Sequence, residues 1–207
     1  MKGCNVIGHP LAQQALAEMR HRDTSVENFR RALGQLGLLL LAEATRKLPV
    51  KSKRVRTPLA MAPASAPARP IALVPILRAG QGMVSLADHL LPQAVHAHLG
   101  MARNEDTLQP ECYLEKLPPR LGRFEVIVCD PMLATAGSAI AAGQLLTQRG
   151  ACHLRFVHAL AAPEGIRALR KAFPQAPIFT AAIDARLNEQ GYIVPGLGDA
   201  GDRCFGC

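Results

Sequence analysis

The chain has no tryptophan, and two tyrosines and six phenylalanines are its only aromatic residues besides histidine. So few flat faces argue against a single-strand nucleic-acid binder, which needs aromatic platforms on which bases stack. Long apolar runs are missing too: the longest, Leu38 to Ala42, falls far short of the roughly 18 residues of a membrane span. The opening MKGCNVIGHP lacks the apolar core of an export signal, so the expectation is a cytoplasmic protein. Acidic residues are scarce, 16 against 24 Lys and Arg, giving a formal charge of +8. These bases are dispersed, with one cluster at Lys51, Lys53, Arg54 and Arg56. We read them mostly as a basic solvated surface, and nucleic acid as an unfavoured partner.

The six cysteines read as free thiols in such a setting. Cys204 and Cys207 form a CxxC, but Cys112, Cys129 and Cys152 are scattered and supply no second pair for a zinc ribbon. His96 and His98 would share one strand face, yet no third ligand stands near them.

The 207 residues suit a single α/β domain with a substantial core. Residues 1–48 read as helical, with a capping box at Thr24–Glu27 and apolar residues at helical spacing from Val26 to Arg46. Residues 49–70 turn basic and then Pro- and Ala-rich, which reads as a mobile arm or loop. Over 71–186 apolar strands alternate with helices. The strand candidates are Ile71–Leu77, Ala94–Leu99, Glu125–Cys129, Leu154–Leu160 and Ile178–Ala182; the helix candidates are Gly82–Leu91, Ser138–Gln148 and Glu164–Phe173. That order predicts a mostly parallel twisted sheet with helices on both faces and ligands at the carboxyl ends of its strands. The glycine-rich tail, 187–207, reads as an irregular hood over that edge.

The most informative segment is VCDPMLATAGS, Val128 to Ser138. An apolar strand leads into Asp130, then a loop of small residues carrying the Thr135 and Ser138 hydroxyls, then a helix. Helix-terminal N–H groups and the helix dipole make such a turn an anion cradle, and a carboxylate beside it suits a ribose hydroxyl or magnesium. Tight packing alone also explains such turns. The Walker loop and the dinucleotide GxGxxG are both absent here.

Three more segments stand in order around it: VPILRAGQGM (Val74–Met83), GMARNEDTLQP (Gly100–Pro110) and GYIVPGLGDAGDR (Gly191–Arg203). Together the four resemble uracil phosphoribosyltransferases, of the type I phosphoribosyltransferase group. Weaker echoes run from His9-Pro10-Leu11 through Glu43-Ala44-Thr45 to Ala162–Ile166. The resemblance implies pyrimidine salvage: transfer of the 5-phosphoribosyl group from 5-phosphoribosyl 1-diphosphate to uracil, giving UMP and diphosphate. It implies that Arg78, Ala79, Gly80 and Arg103 meet the diphosphate. Asp130 would hold the ribose hydroxyls, with Pro131, Met132, Leu133, Ala134, Thr135, Ala136, Gly137 and Ser138 around the 5′-phosphate. Asp199 would reach the sugar diphosphate through magnesium carried by that substrate, with no direct protein ligand to the metal. Ile193, Gly198, Asp199 and Ala200 would bind uracil through main-chain groups. It further implies a homo-oligomer and leaves room for GTP as an allosteric activator. Arg78, Asp130 and Asp199 are thus the candidate catalytic residues.

The chain departs from the family pattern at Gln81 (commonly leucine), Ala102 (aromatic), Ala136 (the first of two glycines) and Cys207 (threonine). In place of the family's β-arm it carries the basic, proline-rich 49–70, which puts arm-mediated dimerisation in doubt. Rival readings on the same fold are an RNA-binding pyrimidine regulator and a catalytically degenerate nucleotide-binding scaffold.

Overall fold

The structure is a computed structural model that describes residues 3–103 and 110–207. Its centre is a sheet in the order β1 (Cys4–Val6), β11 (Ile178–Ile183), β10 (Leu154–Ala161), β8 (Glu125–Cys129), β4 (Ile71–Leu77), β6 (His98–Arg103), β7 (Pro110–Lys116). Short strands β5 (Val95–His96) and β9 (Met132–Leu133) add to β4 and β10. All pairings are parallel except β6 with β7. β8 is buried along its whole length and β4 up to its last residue, as expected of strands covered on both faces.

Alternation along these strands divides the core in two. Leu73, Ile127, Cys129 and Val157 point toward α1 (Pro10–Arg20) and α2 (Val26–Thr45), where Phe29, Leu33, Leu36 and Leu40 meet them. Val74, Val126, Val128 and Phe156 point the other way, toward α4 (Gly137–Gln148) and α5 (Pro163–Ala172), which contribute Leu146, Ile166 and Leu169.

Several expectations need correction. The N-terminal segment is not all helical, because Cys4–Val6 pairs in parallel with β11 at the sheet edge. Ser25, not Thr24, caps α2: its hydroxyl accepts from the Asn28 N–H at 3.3 Å, while the Thr24 hydroxyl donates to the Glu18 carbonyl at 2.6 Å. Residues 49–70 contain an antiparallel hairpin, β2 (Val50–Arg56) and β3 (Met61–Pro67), in unbroken register. The helix expected over 82–91 shrinks to α3 (Gly80–Met83) and a single 3-10 turn at Ala87–His89. β7 had no counterpart in the sequence reading. The tail is regular after all, with β12 (Arg186–Leu187) and β13 (Ile193–Val194) antiparallel and α6 (Ala200–Phe205) behind them.

Candidate active site

β4 delivers the first charged group. It ends at Leu77, and Arg78 follows across a cis peptide bond. Gly80 then packs against the carbonyl of Cys129, where a Cβ would collide, so the loop after β4 abuts the loop after β8. Arg78 and Asp130 therefore emerge at the same edge, at the carboxyl ends of adjacent parallel strands. The Arg78 side chain is half exposed. Its Nη1 donates to Cys207 Sγ at 3.0 Å and its Nη2 to Asp202 Oδ1 at 3.3 Å, and the guanidinium lies 6.0 Å from the centre of the Phe205 ring. The Cys207 bond, with the nearby Asp202 and Asp199 charges, pushes its already high pKa further up.

Asp130 follows β8 directly. Burial raises its carboxyl pKa to about 7, against the Met132 N–H that it accepts from and with a further push from the Asp199 charge. Its main-chain carbonyl meets a group that the sequence reading missed. His158 of β10 is fully buried, and its Nδ1–H donates to Asp130 O at 2.7 Å. Burial drives the His158 pKa down to about 4, so the ring is neutral near pH 7, and its Nε2 has no hydrogen-bond partner among the described residues. One histidine inside the apolar run FVHALAA was the available signal.

The loop expected to hold the 5′-phosphate is flanked by regular structure on both sides. Pro131, Met132 and Leu133 belong to the sheet region: Leu160 N–H donates to Pro131 O and Ala162 N–H to Leu133 O, both at 2.9 Å. The loop proper is Ala134 to Ala136, followed at once by α4, whose first main-chain bond runs from Ile140 N–H to Ala136 O at 2.9 Å. The N–H groups of Gly137, Ser138 and Ala139 thus precede the helix ladder and are left for an outside acceptor, the arrangement that suits an anion. Thr135 is exposed, and its Oγ1 accepts from the Gly137 N–H at 3.5 Å. Ala136 carries the left-handed conformation, φ 71° and ψ 6°, although glycine follows it directly at 137.

The hood closes the third side. Gly191 approaches the loop so nearly that a Cβ there would lie 3.8 Å from Thr135 Cγ2. Asp199 caps α6, its Oδ1 accepting from the Asp202 N–H at 2.9 Å. A Cβ at Gly201 would lie 3.1 Å from Asp199 Oδ1, 3.9 Å from Arg78 Nη2 and 4.0 Å from Ala79 Cβ. Ile193 and Ala200 are buried, while Gly198 is exposed with φ 78°. Arg203 laces the hood to the N-terminal helices by donating to the carbonyls of Met19, Leu197 and His21, with its guanidinium 4.7 Å from the Phe29 ring centre.

Arg78 and Asp130 thus leave neighbouring strands at one edge of the sheet, Asp199 stands beside Arg78 and close enough to Asp130 for their charges to interact, and Thr135 lies beside Gly191 of the hood. Arg103 ends β6, but its side chain and residues 104–109 lie outside the described residues. Elsewhere, a cavity of about 590 Å³ opens at the amino end of β4, lined by Lys51, Lys53, Arg69 and Leu90 among others; the seven-residue length of that strand separates it from Arg78. His96 faces Asp88 at 2.9 Å, and among the described residues no group of three or more His, Cys, Asp or Glu is placed to hold a metal. All six cysteines are free.

The sequence profile of the uracil phosphoribosyltransferase family matches residues 6–207. The chain belongs to this family. A uracil phosphoribosyltransferase of Streptococcus equi subsp. zooepidemicus is 48% identical over 207 residues, covering all of this chain and 99% of that one. One from Levilactobacillus brevis is 49% identical, covering 97% of each chain. Among solved structures, a protein of Aquifex aeolicus matches with a TM-score of 0.91 at 37% identity, covering 98% of this chain and 97% of that chain. An adenine phosphoribosyltransferase of Trypanosoma brucei matches with a TM-score of 0.59 at 12% identity over 92% of this chain and 88% of its own, a likeness of fold alone.

Proposed function

We propose that the chain transfers the 5-phosphoribosyl group from 5-phosphoribosyl 1-diphosphate to uracil N1, releasing diphosphate and giving UMP. The family carries the activity. The observation that supports its location is the approach of Asp199 from the glycine-rich hood to Arg78 and Asp130, at the strand edge from which the loop to α4 also leaves. In the displacement the C1–oxygen bond to diphosphate breaks, the C1–N1 bond forms and the N1 proton leaves. Positive charge develops on the ribose ring and negative charge on the diphosphate, so catalysis rests on positioning and electrostatics.

Arg78 suits the departing diphosphate, since its half-exposed guanidinium can turn from Asp202 and Cys207 to a more highly charged partner. Asp130, held on the verge of protonation by burial, gains as a carboxylate when ribose hydroxyls donate to it. The α4 N–H groups and the Thr135 and Ser138 hydroxyls suit the 5′-phosphate. Ala79, Gly80 and Arg103 complete the diphosphate side. In the hood, main-chain groups of Ile193, Gly198, Asp199 and Ala200 would pair with the amide-like edge of uracil and leave cytosine's reversed pattern unsatisfied.

Magnesium carried by the diphosphate suits this site, because the Asp199 and Asp130 carboxyl groups are close enough for their charges to interact and could accept from the metal's water shell without ligating it directly. Arriving with the diphosphate, it would neutralise charge on the leaving group. GTP as activator, a cytoplasmic setting and a homo-oligomeric state complete the reading. The test is UMP formation from uracil and 5-phosphoribosyl 1-diphosphate with magnesium, with and without GTP, for wild type and Arg78→Ala. We expect Arg78→Ala to lower kcat/KM for 5-phosphoribosyl 1-diphosphate by roughly 10²–10³-fold at an unchanged thermal midpoint. Wild-type rates in the variant would remove Arg78 from the site.

A further inference from the structure

The base-binding segment hangs on one turn. Gly196 has φ 66°, and a Cβ there would collide with the carbonyl of Ile193. Both main-chain polar groups of Gly196 are taken by side chains from elsewhere in the fold. Its N–H donates to Asp184 Oδ2 at 2.7 Å, and its carbonyl accepts from Arg20 Nη1 at 2.7 Å. Arg20 and Asp184 also bind each other in a two-pronged pair, Nη1 to Oδ2 at 2.7 Å and Nη2 to Oδ1 at 2.5 Å. Three groups thus form a closed ring of charge-assisted hydrogen bonds. Arg20 is the last residue of α1, Asp184 directly follows β11, and Gly196 lies between β13 and α6.

We propose that Arg20 and Asp184 are positioning residues that set the main-chain geometry of Ile193–Ala200 and so the selection of uracil as the accepted base. This rests on the reading that the hood holds uracil. A side chain that reads a base can adjust by rotating, whereas a main-chain reader is only as accurate as the backbone that carries it. The ring fixes that backbone at Gly196, between Ile193 and Gly198, and ties it to the end of β11 on one side and to α1 on the other. Asp184 is 8% exposed, so its carboxylate needs these partners: burial alone would raise its pKa, and the Arg20 charge with the Gly196 N–H outweighs that and holds it below the usual carboxylate range. With its N–H taken by Asp184, Gly196 leaves the donor groups of its neighbours to meet the ligand.

The test uses the full chain with Asp184→Asn, Arg20→Lys and Arg20→Met. In Asp184→Asn the KM for uracil should rise about tenfold while that for 5-phosphoribosyl 1-diphosphate stays within about twofold, and the preference for uracil over cytosine should fall by a similar factor. Arg20→Lys should keep part of the selectivity and Arg20→Met should not. Hydrogen exchange at the Gly196 amide should be slow in wild type and fast in Asp184→Asn. Parallel rises in both KM values, activity loss that tracks unfolding, or unchanged Gly196 protection would overturn the proposal. Failure of the wild type to form UMP would instead overturn the functional reading, with the Gly196 amide still deciding whether the ring sets this backbone.

Discussion

Ala136 shows how one methyl group can matter to an anion site. A left-handed conformation costs an L-residue with a Cβ roughly 1–2 kcal/mol, and here it falls on a buried alanine at the N-cap of α4. Glycine would remove that strain, at the expense of somewhat greater unfolded-chain entropy. We therefore expect Ala136→Gly to tighten binding of 5-phosphoribosyl 1-diphosphate by up to about tenfold, the equivalent of roughly 1.4 kcal/mol, with a smaller gain in stability. Calorimetric titration of both proteins checks this, and unchanged or weaker binding would show that the loop already accommodates the methyl. The sequence disclosed the loop and the carboxylate, because a strand, an acid, small residues and a helix follow one another directly. It did not disclose which of two adjacent small residues takes the positive φ, since that depends on how α4 docks. Arg20, Asp184 and His158 were silent for a related reason: their partners, main-chain groups and for Arg20 and Asp184 also each other, lie up to 176 positions away and leave no local pattern.

Elements were legible where a period was clean. Ile71–Leu77 and Glu125–Cys129 were read to the residue because fully buried strands are short apolar runs between polar boundaries. The hairpin was misread because Pro58, Pro63, Pro67 and Pro70 resemble loop punctuation. In a two-stranded ribbon each strand has an unpaired edge, where a proline costs no hydrogen bond. Such a ribbon is marginal by itself. All seven residues of β2 are exposed, and apolar side chains sit in the open at Val50 (66%), Leu59 (97%) and Met61 (49%). If the proposed homo-oligomer forms, this apolar surface is the face we expect it to cover, with the basic residues Lys51, Lys53, Arg54 and Arg56 set between. We expect sedimentation to give at least a dimer for wild type and a lower mass for Leu59→Lys with Met61→Lys, at unchanged secondary structure. Identical masses would release the hairpin from any part in assembly.

At the scale of the whole molecule, the sheet joins two titrating groups with opposite effects on folding. The Asp130 carboxyl sits near 7 when folded against 3.8 in the open chain, so the folded state holds the extra proton between those values. Its contribution is present at low pH and is lost as pH rises toward 7. His158 sits near 4 against 6.5, so there the unfolded chain holds the extra proton. Its contribution is present above 6.5 and is lost as pH falls toward 4, by about 3 kcal/mol if the ring stays buried throughout. Between roughly pH 4 and 6.5 the two slopes oppose each other, and the hydrogen bond from His158 to the Asp130 carbonyl places both at one junction of β8 and β10. Asp130→Asn removes only the first slope. Urea unfolding across this window should then show the variant losing stability on acidification more steeply than wild type, because the histidine is no longer opposed. The salt-bridged carboxylates Glu115 and Asp184, both held below their ordinary range, add acid lability to each protein alike and cancel in the comparison. Parallel curves for the two proteins would mean that Asp130 does not carry its proton through neutral pH. Its carboxylate would then already be charged before any ribose hydroxyl arrives to stabilise it.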